Sequence, residues 1–164
     1  MTTIRLFAWL VIAVCLTLGV INISCRNETS IPSPPEDDPW AVIEYPAGQE
    51  VSIELKPTTA APDAKGTARV MRSENETTIN LDVSGVTGEN TQKVYVVDIR
   101  GNATLLGLLT MNEGAGDLTA KTALNKFMIV VSPEANLTIF DPATTTLRST
   151  VPSGFNVLPR ETAE

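Results

Sequence analysis

No histidine occurs in the 164 residues. That removes every His-based triad, His general base and His metal site. The two cysteines, Cys15 and Cys25, are too few for a four-cysteine metal site or a disulfide framework. Basic residues are also short, 12 Lys+Arg against 19 Asp+Glu for a net charge of -7. A phosphate-backbone binder needs a clustered basic face, so this balance speaks against nucleic acid. Aromatics make up 5% of the chain, and Tyr95, Phe127, Phe140 and Phe155 fall at strand spacing. That is core filling, not a stacking platform for bases. No internal repeat of fixed period is present, and good helix patterns are scarce. What remains is 43% hydrophobic and 19% charged, enough to bury a core in one domain.

The N-terminus carries the longest apolar run. Arg5 precedes Leu6 to Ile21, 16 residues, the order of a short charged region and an apolar region in a secretory signal. Residues 1–24 are therefore read as a signal peptide or an N-terminal membrane anchor. Cys25 closes the run in Asn22-Ile23-Ser24-Cys25. This resembles a bacterial lipoprotein signal, in which a small residue precedes the cysteine to be lipidated. Asn22 stands where such signals usually carry Leu. Cys25 is the expected lipidation site, with an uncleaved anchor and simple cleavage as alternatives. Lipidation at Cys25 would place more than one acyl chain in the bilayer, enough for stable anchoring. Cys15, inside the run, reads as a small hydrophobe.

Residues 25–47 hold Pro32, Pro34, Pro35, Pro39 and Pro46, which disfavour helix and central strand. They are read as a Pro-rich acidic tether, with Trp40, Val42 and Tyr45 laid against the domain that follows. Glu36, Asp37 and Asp38 read as solvated linker rather than a Ca²⁺ site.

From residue 48 the pattern changes to period two. Val51, Ile53 and Leu55 alternate with polar residues, as do Ile79, Leu81 and Val83. Ala68 and Val70 restart an alternation between them. Lys93 to Ile99 is apolar on both faces apart from Asp98, which predicts a strand covered on both sides. Arg100-Gly101-Asn102 predicts a turn, with Leu105 to Met111 as the hairpin partner. Phe127 to Val131 reads as a second buried strand. Leu137 to Phe140 and Leu147 to Val151 read as shorter ones. Thr119–Lys126 is expected to form a helical turn. Roughly seven to nine short strands with turn signals predict a small immunoglobulin-like antiparallel β-sandwich over 48–158. The polar tail 159–164 is expected to fray.

Ala68-Arg69-Val70, Val83-Ser84-Gly85, Tyr95 to Gly101, Leu106-Gly107 and Phe127 to Glu134 follow one another in a recognisable order. The order resembles the extracytoplasmic C-terminal domain of anti-sigma factors of the regulator-of-sigma-K type, over about 90 residues. Those proteins carry a cytoplasmic sigma-binding domain ahead of a membrane helix. Here only five residues precede the apolar run. The resemblance implies the outer domain standing alone, without the domain that holds sigma. Fold analogy does not itself transfer function.

Candidate chemistry is sparse. Asp82, Asp98 and Asp117 lie in or beside expected strands, and nothing in the sequence gathers them in one groove. Asp98, with its apolar neighbours, reads as a cap on the turn through Gly101 and Asn102. Gly114-Ala115-Gly116 lacks the Lys-Ser/Thr of a phosphate loop. Lys121 and Lys126 read as solubility charges. Five Asn-X-Ser/Thr triplets start at Asn22, Asn27, Asn75, Asn102 and Asn136, and in a secreted eukaryotic chain the last three would be glycan sites. No catalytic residue, cofactor site or metal site is assigned. The favoured expectation is a non-enzymatic, membrane-anchored extracytoplasmic module that binds an envelope protein or senses envelope state. The alternatives are a structural or adhesive surface module, and a small hydrolase or carbohydrate-binding domain.

Overall fold

The computed structural model describes residues 38–86 and 91–161. The apolar run, Cys25 and residues 87–90 lie outside them. Among the described residues the protein is all-β, with nine strands in chain order. They are β1 (Ile43–Glu44), β2 (Glu50–Pro57), β3 (Lys65–Arg72), β4 (Thr77–Ser84), β5 (Thr91–Val97), β6 (Ala103–Thr110), β7 (Ala115–Thr122), β8 (Lys126–Ser132) and β9 (Leu147–Ser149). A single 3-10 turn, Pro142–Thr144, completes the set. All strand ladders are antiparallel, in the order β6-β5-β8-β9-β2-β3-β4-β7, with β1 added to β8. The path ends on β6 and β7, which are consecutive in sequence. The β-sandwich-like sheet therefore curls until it is nearly a barrel.

The period-two strands do what their pattern dictates. Val51, Ile53 and Leu55 on β2, Ala68 and Val70 on β3, and Ile79, Leu81 and Val83 on β4 all face one core. Their alternate residues face water. Across the core stand Val94 and Val96 of β5 and Phe127, Ile129 and Val131 of β8. These two strands are buried on the other face as well. Tyr95, Val97, Met128 and Val130 form a second cluster with Ala41, Val42 and Phe140.

The cover over that second face comes from segments that composition marks as linker and tail. Ala41, Val42, Ile43 and Tyr45 are buried, and Ile43–Glu44 is a strand on the edge of β8. Trp40 Nε1 donates to the Leu158 carbonyl at 2.8 Å, and Leu158 N–H donates to the Val42 carbonyl at 2.8 Å. The tail is ordered as far as Glu161, whose N–H donates to the Ile99 carbonyl at 2.8 Å. The Arg160 guanidinium lies 5.3 Å over the Trp40 ring, a cation–π contact. Fraying therefore does not describe residues 159–161. Within them the Glu161 N–H and the Arg160 side chain have partners.

Two further expectations are corrected. Thr119–Lys126 is not helical: β7 runs to Thr122 and pairs with β4 along its whole length. Leu137 to Phe140 is not a ladder strand. It makes one bridge, Ile139 to Asn102, while Leu137 and Phe140 pack on the outer cluster.

Strand β9 joins the two halves of the sheet. Leu147 is opposite Pro57 on one side and Val131 on the other. Ser149 Oγ accepts from the Ile129 N–H at 3.0 Å. Burying one Leu yields about 1.5–3 kcal/mol, whereas ordering backbone costs about 1–2 kcal/mol per residue. Three residues cannot hold themselves on Leu147 alone. Strand β9 exists because both of its edges are paired.

Tyr45 is buried and stacked on Phe127, with ring centroids 4.4 Å apart. Its hydroxyl is a buried side-chain oxygen without a hydrogen-bond partner, and burial pushes its pKa far above the ordinary tyrosine value. Leaving a hydroxyl unsatisfied costs about 1–3 kcal/mol. Tyr45→Phe is therefore expected to raise unfolding free energy by about 1 kcal/mol, as read by denaturant titration. The opposite is expected at Gly85, whose φ is +72° and where an added Cβ would collide with the Asp63 carbonyl oxygen. Gly85→Ala should destabilise the domain by about 2 kcal/mol or more in the same assay.

Candidate functional site

Most of the candidate residues from the sequence are not brought together. Asp82 and Asp117 are cross-strand partners on the exposed face of β4 and β7, and Asp82 reaches Arg69 at 3.9 Å. Asp98 lies elsewhere, at the end of β5. Lys121 pairs with Glu76 at 2.6 Å, and Lys126 with Glu44 at 3.7 Å, all on the surface. Such pairs contribute about 0–1 kcal/mol each and mark no site. Gly114 belongs to a tight hairpin turn in which Asn112 and Ala115 exchange backbone hydrogen bonds of 2.7 and 3.0 Å. Asp38 Oδ1 accepts from the Trp40 N–H at 2.9 Å. Among the described residues no His, Cys, Asp or Glu cluster has the arrangement of a metal site. Cys25 lies outside the described residues.

Asp98 is the turn cap its sequence context implies. Its Oδ1 accepts from the N–H groups of Arg100 and Asn102, both at 2.9 Å. Its Oδ2 accepts from Asn102 Nδ2 at 3.0 Å. Gly101, at φ +88°, completes the turn. Burial raises the Asp98 pKa, but the bonds from Asn102 and Arg100 and the Arg100 charge outweigh it. The carboxyl sits below its usual 3.8. The turn holds β5 to β6 and presents no vacant chemistry.

A cleft of about 960 Å³ opens at one end of the domain, between the β1–β2 connection and residues 153–158. Tyr45, Pro46, Phe155 and Leu158 form apolar lining, with Glu44, Glu74 and Arg72 among the polar groups. Arg72 is engaged in structure: its Nη1 donates to Thr77 Oγ1 at 2.9 Å and to the Leu124 carbonyl at 3.2 Å. Glu44 is held by Lys126. The charged groups here tie strands together, and neither carboxylate is set in an apolar wall as a general acid would be.

The unusual feature is strand β6. Four large hydrophobic residues are exposed: Leu105 at 48%, Leu108 at 57%, Ile139 at 61% and Met71 at 40%. The first two are on β6, and Ile139 is on the segment bridged to Asn102 just ahead of it. One edge of β6 pairs with β5. The other edge is capped at its start, where the Ala103 N–H donates to the Thr138 carbonyl at 2.9 Å, and meets β7 at the hairpin turn. Between these points, among the described residues, no strand ladders with it. The seam to β7 is filled by side chains: Leu118 packs where a Gly107 side chain would be, its Cδ1 3.1 Å from that position. Exposed edges are ordinarily guarded by charge, proline or bulges. Here a bulge at Leu106 is present, but no charge or proline occurs from Ala103 to Thr110.

No protein-family model and no curated protein matches the chain. The β6 edge was not singled out from sequence, because Leu105 to Leu108 reads like any hairpin partner until the pairing is known.

At Asp98 the depressed pKa means that the ionised carboxyl contributes stability above pH 3.8, and that this contribution is lost as pH falls through the lower folded value. Asp98→Ala is expected to cost about 1 kcal/mol or less at neutral pH, since the turn is solvent-screened. The gap to wild type should shrink toward zero well below pH 3.8, as read by denaturant titrations at both pH values.

Proposed function

We propose that this protein is a non-enzymatic, membrane-anchored extracytoplasmic β-sandwich that binds a protein partner in the cell envelope, in the manner of the outer domain of an anti-sigma factor. The observation that carries the reading is the exposed apolar pair Leu105 and Leu108 on β6, with exposed Ile139 on the segment bridged just ahead of the strand. Exposed leucines on a strand that carries no charge or proline offer a protein partner apolar contact. Anchoring through Cys25, or through residues 1–24 left in place, rests on the sequence pattern alone.

A structural or adhesive role uses the same leucines and differs in partner. A carbohydrate-binding role would use the cleft at Glu44 and Phe155. In-cell cross-linking of the full-length chain separates them. Wild type is expected to recover a discrete envelope protein or the chain itself. That recovery should fall at least tenfold in Leu105→Lys/Leu108→Lys and drop in Cys25→Ala. Recovery of cell-wall saccharide, insensitive to the β6 changes and lost in Phe155→Ala, would move the function to the cleft.

A further inference from the structure

The face that β5 and β8 turn away from the main core is covered by two kinds of segment. Residues 137–140 are tied to strands. The Ala103 N–H donates to the Thr138 carbonyl and the Phe140 N–H to the Gly101 carbonyl, both at 2.9 Å. Just ahead of them the Tyr95 hydroxyl donates to the Glu134 carbonyl at 2.7 Å. The rest of the cover is Trp40, Ala41 and Val42 from the entering arm and Leu158 from the tail. We infer that arm and tail form a latch. Residues 158–161 hold residues 39–42 closed over the outer cluster. Loss of that hold opens the face of Val97, Met128 and Val130 while the main core stays shut.

Ahead of β1, few hydrogen bonds tie the arm to the rest of the described chain. Two of them go to one tail residue: Trp40 Nε1 donates to the Leu158 carbonyl, and the Leu158 N–H donates to the Val42 carbonyl, both at 2.8 Å. A third runs from Arg148 Nη1 to the Asp38 carbonyl at 3.1 Å. The tail has its own hold on the body. The Glu161 N–H donates to the Ile99 carbonyl at 2.8 Å, and its carboxylate meets Arg100 at 3.4 Å. The Arg160 guanidinium packs on Gly101, in the space a side chain there would fill. From that seat it reaches the Trp40 ring at 5.3 Å. The turn after β5 thus fixes the tail, and the tail fixes the arm.

These ties are within reach of water. Arg160 and Glu161 are exposed, and Trp40 and Leu158 are half-buried. A segment held by few bonds of this kind opens locally at far lower cost than the whole domain unfolds. The opening also has a stop. Ile43 pairs with Phe127 of β8, and the Tyr45 N–H donates to the Asn125 carbonyl at 2.8 Å. Ile43 and Tyr45 therefore keep their places in the main core when the residues ahead of them leave. What the opening reveals is Met128 and Val130 of β8, with Val97 paired opposite Met128, all fully covered in the closed state. The latch is a two-position element that the tail biases toward closed. Its state decides whether the domain shows this apolar face, whatever meets the leucines of β6.

The test is thiol labelling of the full-length chain in mild detergent, with Cys15→Ser and Cys25→Ser as background. Met128→Cys places a thiol under the arm, and Val70→Cys places one in the main core. Ending the chain at Val157 should speed maleimide labelling of Met128→Cys at least tenfold and leave Val70→Cys unchanged. Trp40→Phe/Arg160→Gln keeps the tail and removes the indole donor and the cation. It should speed labelling at Met128→Cys severalfold, again without effect at Val70→Cys, and it serves as the readout if the shortened chain fails to fold. Labelling at Met128→Cys that is indifferent to both changes overturns the inference, because the arm then holds itself. Equal acceleration at both thiols also overturns it, because the tail then serves the whole fold rather than a latch.

Discussion

The structure depends on the burial of β5 and β8 from both sides. Val94, Val96, Phe127, Ile129 and Val131 point into the main core, and Tyr95, Val97, Met128 and Val130 point the other way. Two antiparallel strands with apolar residues on both faces cannot sit at the surface of a sandwich. They need a third layer, and the chain builds it from its non-strand parts. Residues 40–42, 137–140 and Leu158 lie outside the ladders and are fixed in place by apolar contact and a few hydrogen bonds. Strand β9 addresses the other demand of the architecture, joining the two half-sheets while spending only three residues on it.

This arrangement explains which parts of the fold could be read from the chain. Alternation at Val51, Ile53 and Leu55, and at Ile79, Leu81 and Val83, reports one buried face directly, and both stretches are strands with that face inward. The unbroken apolar runs at Val94–Val97 and Phe127–Val131 report burial on two faces, also as found. Strand β7 was hidden because Leu118 is its only large apolar residue, so period two had almost nothing to show. The packing of Trp40, Val42 and Tyr45 on the domain was legible, but the pairing of Ile43–Glu44 as a strand was hidden behind prolines, and the contacts of residues 159–161 behind polar composition. In both cases the ordering partner is the outer face of distant strands, which local pattern cannot contain.

The exposed leucines of β6 were illegible for a different reason. Leu105, Leu106, Leu108 and Leu109 look alike in sequence, yet Leu109 is fully buried and Leu108 more than half exposed. What separates them is the bulge at Leu106 and the missing ladder beyond it, both properties of pairing rather than of composition. The cap at Asp98, in contrast, was legible, because an Asp ahead of a Gly-Asn turn carries its own partners within four residues.

The clasp between Trp40, Leu158 and Arg160 has a mechanical consequence. The described chain enters the fold at Asp38 and leaves it at Glu161, and the two segments hold each other. Tension drawn on the entering arm meets the indole and its cation first, then β1, which is paired directly to β8 at the centre of the molecule. Because β1 has only two residues, it would peel before any long ladder was loaded. What the arm uncovers in peeling is first Met128 and Val130, under Ala41 and Val42, and then the main core at Phe127, under Ile43 and Tyr45. The arm is thus a plug set into two cores in turn, and a pull on it opens the outer one before the inner.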